Sequence, residues 1–228
     1  MRIAIRPPEY FPRLAYMALV QAADRFVLAD TFEYSRQSYQ NRGCLRNPNG
    51  WQWVTVPLQA HQHDRHIHQV RIDTDAPWRG RHWRAFAYNY RSTPYFEYFE
   101  DDWRPLFEKE WERLGALTCT TVELLHDLLG LSTPLDRASE LEGAPDTLAA
   151  VLETVGTDQV LSPAAAVPHD RSAGADVIPF YYESPTYRQN FEGFEPGMSA
   201  ADVLFNYGPE AKSIIADGVR HERPSTTE

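Results

Sequence analysis

Asp30 closes a short apolar run, and the tyrosines, amides and arginines that follow it are the groups in this chain best suited to chemistry. Asp30 can serve as a general base or cap the loop after it. Tyr34-Ser35-Arg36-Gln37-Ser38-Tyr39-Gln40-Asn41-Arg42 then sets phenols, amides and guanidiniums side by side. Such groups stack, hydrogen-bond bidentately and pair with anions, as a pocket for a polar, phosphorylated ligand requires. A polar surface whose amides satisfy one another is the plainer alternative. Trp78-Arg79-Gly80-Arg81-His82-Trp83 places Arg79 and His82 three residues apart on a helix, with Arg81 beside them. Cations and an imidazole so placed can face a phosphate, or form a solvated helix face.

Other motifs carry less. His61-Gln62-His63-Asp64-Arg65-His66-Ile67-His68 invites a metal, yet no carboxylate or thiolate at a fixed spacing completes a ligand set, so a solvated loop and no metal site are expected. Cys44 and Cys119 stand far apart and outside any C-x-x-C, and read as reduced, buried thiols. Neither a G-x-G-x-x-G nor a G-x-x-x-x-G-K-[ST] occurs, which argues against a standard dinucleotide site or P-loop.

These groups need a frame to hold them. Residues 3–5 form an apolar strand, Pro8-Glu9-Tyr10-Phe11-Pro12 a turn, Leu14 to Gln21 keep helical spacing, and Phe26-Val27-Leu28-Ala29 form a buried strand ending at Asp30. This βαβ unit implies a parallel sheet covered by helices, with ligands beyond the carboxyl ends of the strands, where 8–13 and 30–42 would sit. Further strands are predicted at 51–56, 69–73 and 160–162, and helices at 78–91, at 99–127 with a break near Leu114-Gly115, at 147–154 and at 199–204. Residues 136–145 read as a connecting loop. The expected architecture is α/β, a mostly parallel sheet flanked by helices, Rossmann-like or nucleotidyltransferase-like, with a helical insertion over about 78–130. One domain over 1–218 and a flexible tail over 219–228 complete it.

The 228 residues carry a formal charge of −10, which excludes a bulk nucleic-acid binder. The charge is uneven: through Arg113 there are 16 basic and 14 acidic residues, and beyond it 6 and 18, so a small anionic ligand is drawn to the first half. No stretch is long and apolar enough for a membrane span, and a cytoplasmic location is expected.

Several motifs in order resemble the WbqC-like family, which is associated with bacterial O-antigen gene clusters. Pro8, Tyr10, Phe11, Pro12, Leu14 and Tyr16 match its opening segment, and Asp30, Tyr34, Ser35, Ser38, Gln40, Asn41 and Arg42 its D-D-V-Q-Y-S-x-x-x-x-Q-N-R segment. Asn49-Gly50-Trp51-Gln52-Trp53-Val54-Thr55-Val56-Pro57 resembles its N-G-W-x-W-L-T-V-P strand, and Trp78, His82, Tyr90, Pro94, Tyr95 and Phe96 its W-x-x-x-H and Y-x-x-x-P-Y-F helical segment. Leu161-Ser162, Tyr187, Gln189, Phe194 and Asn206 match its closing pattern. Pro7, Ala15, Thr31, Glu33 and Pro163 depart from it.

The resemblance implies a transferase of surface-polysaccharide or modified-sugar biosynthesis, acting on an amino-sugar or nucleotide-sugar by acyl or aminoacyl transfer. Asp30, Tyr10 and His82 would be catalytic. Tyr34, Ser35, Gln40, Asn41, Arg42, Arg81, Ser162, Tyr187, Gln189 and Asn206 would bind a small anionic or phosphorylated substrate. A nucleotidyltransferase-like enzyme, lacking H-x-G-H, and a non-catalytic subunit of a glycan-assembly complex are the other readings. No cofactor or oligomeric state is implied.

Overall fold

The structure is a computed structural model and describes residues 1–222. Its frame is a six-stranded sheet built from β1 (Ile3–Arg6), β2 (Arg25–Leu28), β5 (Leu135–Arg137), β6 (Gln159–Pro163), β7 (Asp176–Tyr182) and β8 (Val219–Arg220). The spatial order is β5-β2-β1-β6-β7-β8, parallel except for β8, which makes β1 a central strand as the βαβ reading requires. Numbered along the chain, the six run 3-2-1-4-5-6, the doubly wound Rossmann-like order. A separate hairpin pairs β3 (Arg42–Asn47) with β4 (Gly50–Thr55).

Strand alternation explains why helices cover both faces. Ile3, Ile5, Val27, Val160 and Val177 pack into one buried cluster with Leu148, Val151 and Leu152 of α6 (Leu148–Val155), and α7 (Val167–Ser172) leans on the same cluster. Ala4, Phe26, Leu28 and Leu161 belong to the other, together with α1 (Leu14–Ala22). That larger cluster also takes in α2 (Trp78–Tyr90), α3 (Phe96–Trp103), α4 (Pro105–Glu108), α5 (Leu114–Leu128), α8 (Ala200–Tyr207) and α9 (Ala211–Ala216). Its centre is aromatic: Phe11 stacks on Trp103 at 5.2 Å, and Phe205 meets the same indole edge-on at 5.0 Å. Phe11 is thereby locked at φ 49 and pins the turn after β1. The hairpin presses on that turn at Gly43, where a Cβ would lie 2.8 Å from the Tyr10 carbonyl.

Four expectations need correction. The segment 69–73 forms a 3-10 turn over Ile67–Gln69 and then isolated bridges, Leu58 to Ile72 and Arg71 to Arg113, because no neighbour runs beside it long enough for a strand. The long helix over 99–127 is three helices; Pro105 has no N–H to continue α3 and starts α4. Within 136–145 lie part of β5 and a 3-10 turn over Ala138–Glu140, so the segment is not simply a loop. The tail expected from 219 opens with β8, paired to Tyr181 and Tyr182, and its last positions, 223–228, lie outside the described residues. The strand at 51–56 belongs to the hairpin. No helix among the described residues is long and apolar enough to cross a membrane.

Candidate functional site

The winding of the sheet reverses between β1 and β6. The chain leaves β1 through α1 to β2 on one side, and leaves β6 through α7 to β7 on the other, with the two helices on opposite faces. A crevice outside the carboxyl ends of the strands is the geometric result. A cavity of about 670 Å³ opens there. Arg6 and Pro7 bring the end of β1 to it, 163–165 the end of β6, 180–182 the end of β7, Arg13 and Tyr16 the start of α1, and 38–40 the loop before the hairpin.

Its charges are paired. The Arg6 guanidinium donates to both carboxylate oxygens of Asp170 and to the Ser162 hydroxyl, and Ser162 donates to Asp170. Burial would raise the Asp170 carboxyl, but the bonds from Arg6 and Ser162 and the Arg6 charge outweigh it and hold the group below its ordinary value. Nearer the opening, Arg13 donates to Glu9 through Nη2 at 2.5 Å and Nε at 3.2 Å, and lies 3.7 Å over the Tyr39 ring. Three residues of this cavity keep buried polar atoms without partners among the described residues: Arg6 Nε, Tyr16 Oη and Tyr182 Oη. Burial, then the charge of Glu9, pushes the Tyr16 phenol well up, so the neutral hydroxyl is the form present.

A second cavity, about 290 Å³, lies between β4 and α2, lined by Gln52, Trp53, Val54, Thr55, Arg81, His82 and Ala85. His82 is its rigid wall. Its Nδ1 meets the Tyr10 hydroxyl at 2.9 Å, and the ring also bonds to the Thr55 backbone. Burial pushes the imidazole down to about 4 against the Thr55 bond, with the Arg81 charge adding to the fall. The two cavities share an aromatic partition, since Tyr39 of the large one packs edge-on at 5.5 Å against Trp53 of the small one. Arg13 stacks on Tyr39 and Arg42 on Trp53, at 4.3 Å.

The expected site residues are therefore not gathered in one place. Gln40 lines the large cavity and Ser162 supports it through Arg6, while Arg81 and His82 line the small one with Tyr10 behind. Asp30 reaches neither. It lies two residues beyond β2, on the far side of β1 from the crevice, and its carboxylate accepts from the Ser139 N–H at 2.9 Å and hydroxyl at 2.6 Å. Tyr34, Ser35, Asn41 and Arg42 shape the intervening loop: Tyr34 N–H donates to the Arg65 carbonyl, Ser35 N–H to Gln40, the Asn41 amide to the Val56 carbonyl, and Arg42 to the carbonyls of Gln37 and Ser38.

Tyr187, Gln189 and Asn206 sit in a buried network. Tyr187 donates to Asp202 at 2.7 Å, Gln189 accepts from Arg46 at 3.1 Å, and the Asn206 amide donates to the Asp202 carbonyl. Burial lifts the Asp202 carboxyl to about 6 despite the hydrogen bond it accepts from Tyr187. Sequence reasoning missed Arg6, Glu9, Arg13 and Tyr16 as site residues. The signals for them were an arginine closing β1 and a glutamate four residues before an arginine at a helix start.

No solved structure gives a significant match. The chain is 31% identical over 226 residues to a Mycobacterium tuberculosis protein described as uncharacterized protein Rv1507c, an alignment covering 94% of this chain and 97% of that one. The model of the WbqC-like protein family matches residues 7–214, from the turn after β1 to α9, and so takes in the loops that wall both cavities. Four strands of the doubly wound sheet, the loops at its switch-point crevice and the hairpin beside it thus fall within one family match, and the chain belongs to the WbqC-like protein family.

Proposed function

We propose that the protein is a group-transfer enzyme that seats its donor in the switch-point cavity and modifies an amino-sugar or nucleotide-sugar, by acyl or aminoacyl transfer, in surface-glycan or related biosynthesis. The observation that carries this reading is the cavity's place and lining: it lies at the reversal of a doubly wound sheet, with tyrosines and Phe180 for a planar or apolar body and Arg6 and Arg13 for an anionic group. Glu9 is the carboxylate beside that space. An anionic donor that draws Arg13 to itself releases Glu9, which takes the proton lost by the acceptor amine as its nitrogen forms the new C–N bond. The acyl carbon's bond to the leaving group then breaks, and its electron pair departs with that group.

Nucleoside diphosphate sugars and acyl thioesters of coenzyme A, screened by thermal shift, test the reading. A ligand at about 100 times its dissociation constant adds roughly 2.7 kcal/mol of stability. The shift is expected in the wild type and is expected to be lost in Arg13→Gln. No shift across both ligand classes at low salt would remove the reading. A non-catalytic binding subunit is the second reading, favoured by the pairing of Glu9 and Asp170 with arginines; binding without turnover of any acceptor would select it.

A further inference from the structure

The small cavity differs from the large one in its charge. No acidic side chain lines it, while Arg81 does. Arg81 donates from Nε to the Pro77 carbonyl at 3.3 Å, and among the described residues neither its Nη atoms nor any carboxylate pair with it. Arg42, packed on the ring of the lining residue Trp53 but not itself lining the cavity, gives Nε and Nη2 to the Ser38 and Gln37 carbonyls and likewise meets no carboxylate among the described residues. Gln52 and Thr55 add neutral hydrogen-bonding groups, and the imidazole beside them is held on both its Tyr10 and Thr55 sides.

An arginine on a convex surface is balanced by water and salt. An arginine at a concave wall backed by Trp53, Val54 and a buried imidazole keeps its field, because low-dielectric walls focus it. A planar guanidinium with its outer nitrogens uncommitted and an amide and a hydroxyl near it can recognise an oxyanion. We infer that the small cavity is an oxyanion subsite, taking a phosphate monoester or carboxylate group of a second ligand on Arg81, Gln52 and Thr55, with the charge of Arg42 behind Trp53. Its assignment to the acceptor substrate rests on the transferase reading; the binding of the oxyanion does not.

Chemical-shift mapping by NMR tests it, with inorganic phosphate and acetate titrated separately at low salt into wild type, Arg81→Gln and Arg13→Gln. Saturable shifts at the Trp53 indole, Thr55 and Arg81 are expected. The affinity is expected to fall about tenfold in Arg81→Gln, the worth of a lost hydrogen bond to a charged group, and to hold in Arg13→Gln. Tighter binding of phosphate assigns a phosphorylated ligand, and tighter binding of acetate a carboxylate. Shifts that vanish in Arg13→Gln but survive Arg81→Gln would move the anion to the large cavity, overturning this inference and leaving the donor site standing. No saturable shift with either anion would overturn it as well. Arg81→Lys, which keeps the charge and loses the fork, is expected to recover only part of the affinity.

Discussion

The large cavity holds its arginines by carboxylates, Arg6 by Asp170 and Arg13 by Glu9, whereas Arg81 of the small cavity, and Arg42 behind its Trp53, are held by backbone carbonyls alone. A carbonyl orients a guanidinium without cancelling its charge. A carboxylate does both, so a ligand of the large cavity must compete with protein anions, and its charge must be offset by contacts to its body. The small cavity offers little body contact and an uncompensated cation. The difference separates affinity built on area from affinity built on charge, and it ties the stability held in ion pairs to the large cavity.

That asymmetry should appear first in stability. Asp170 is almost completely buried and Arg6 partly so, so Asp170→Ala leaves a half-buried cation without its carboxylate and should cost about 3 kcal/mol in a urea melt. Arg81→Gln, on an exposed side chain, should stay within about 0.5 kcal/mol of wild type. Equal losses would mean that both arginines are structural and that the contrast is illusory.

The next effect, of similar size, is a titration. His82 falls from an ordinary 6.5 to about 4, so between these values the unfolded chain binds more protons and stability is lost as pH falls. Asp202 rises from 3.8 to about 6, so over nearly the same range the native state binds more protons and stability is lost as pH rises. The two contributions, each on the order of 3 kcal/mol, oppose one another and largely hide both. Asp202→Asn should uncover the histidine: the variant's own stability should drop by about 3 kcal/mol from pH 6.5 to pH 4, where wild type stays nearly level. A flat profile in Asp202→Asn itself would show that His82 is hydrated and that the small cavity has no dry wall.

The third sharpens the role of the shared turn. Gly43→Ala puts a Cβ against the Tyr10 carbonyl and should cost about 1 to 3 kcal/mol. Because the Tyr10 turn carries Glu9 toward one cavity and the His82 partner toward the other, ligand responses in both should weaken together. Loss in only one would separate them.

What the sequence could disclose depended on the range of its signals. The β1-α1-β2 unit was legible because its apolar periods are local, and α6 because Thr147 caps it, accepting from Ala150 N–H, while Gly156 at φ 74 ends it. β5 was not, since Leu135-Asp136-Arg137 is three residues at a sheet edge with a polar pair inside it. β7 escaped because Pro179 argues against a strand; β8 pairs only Tyr181 and Tyr182, which leaves Pro179 on an open edge where a missing N–H is tolerated. The crevice was expected at the ends of the strands, but its position depends on β6 lying beside β1 across more than 150 residues of sequence, and local pattern carries no such order. Asp30 was the natural base as long as β2 was legible and its neighbours were not. Arg81 and His82 were legible because they stand together in one arginine-histidine cluster at a helix start, with Arg79 three residues before the imidazole, and what could not be read was that Tyr10 would claim that imidazole.

The partition between the cavities joins Arg13, Tyr39, Trp53 and Arg42 in one cation–aromatic row. Were an occupant to pull Arg13 off Tyr39 and shift Trp53 with it, or an oxyanion to draw Arg42 off Trp53, the two cavities would be linked through that row. Such coupling obeys thermodynamic reciprocity: if one occupant raises or lowers the affinity for the other by some factor, the second must change the affinity for the first by that same factor, so the order in which the two ligands arrive cannot alter the energy of the filled protein.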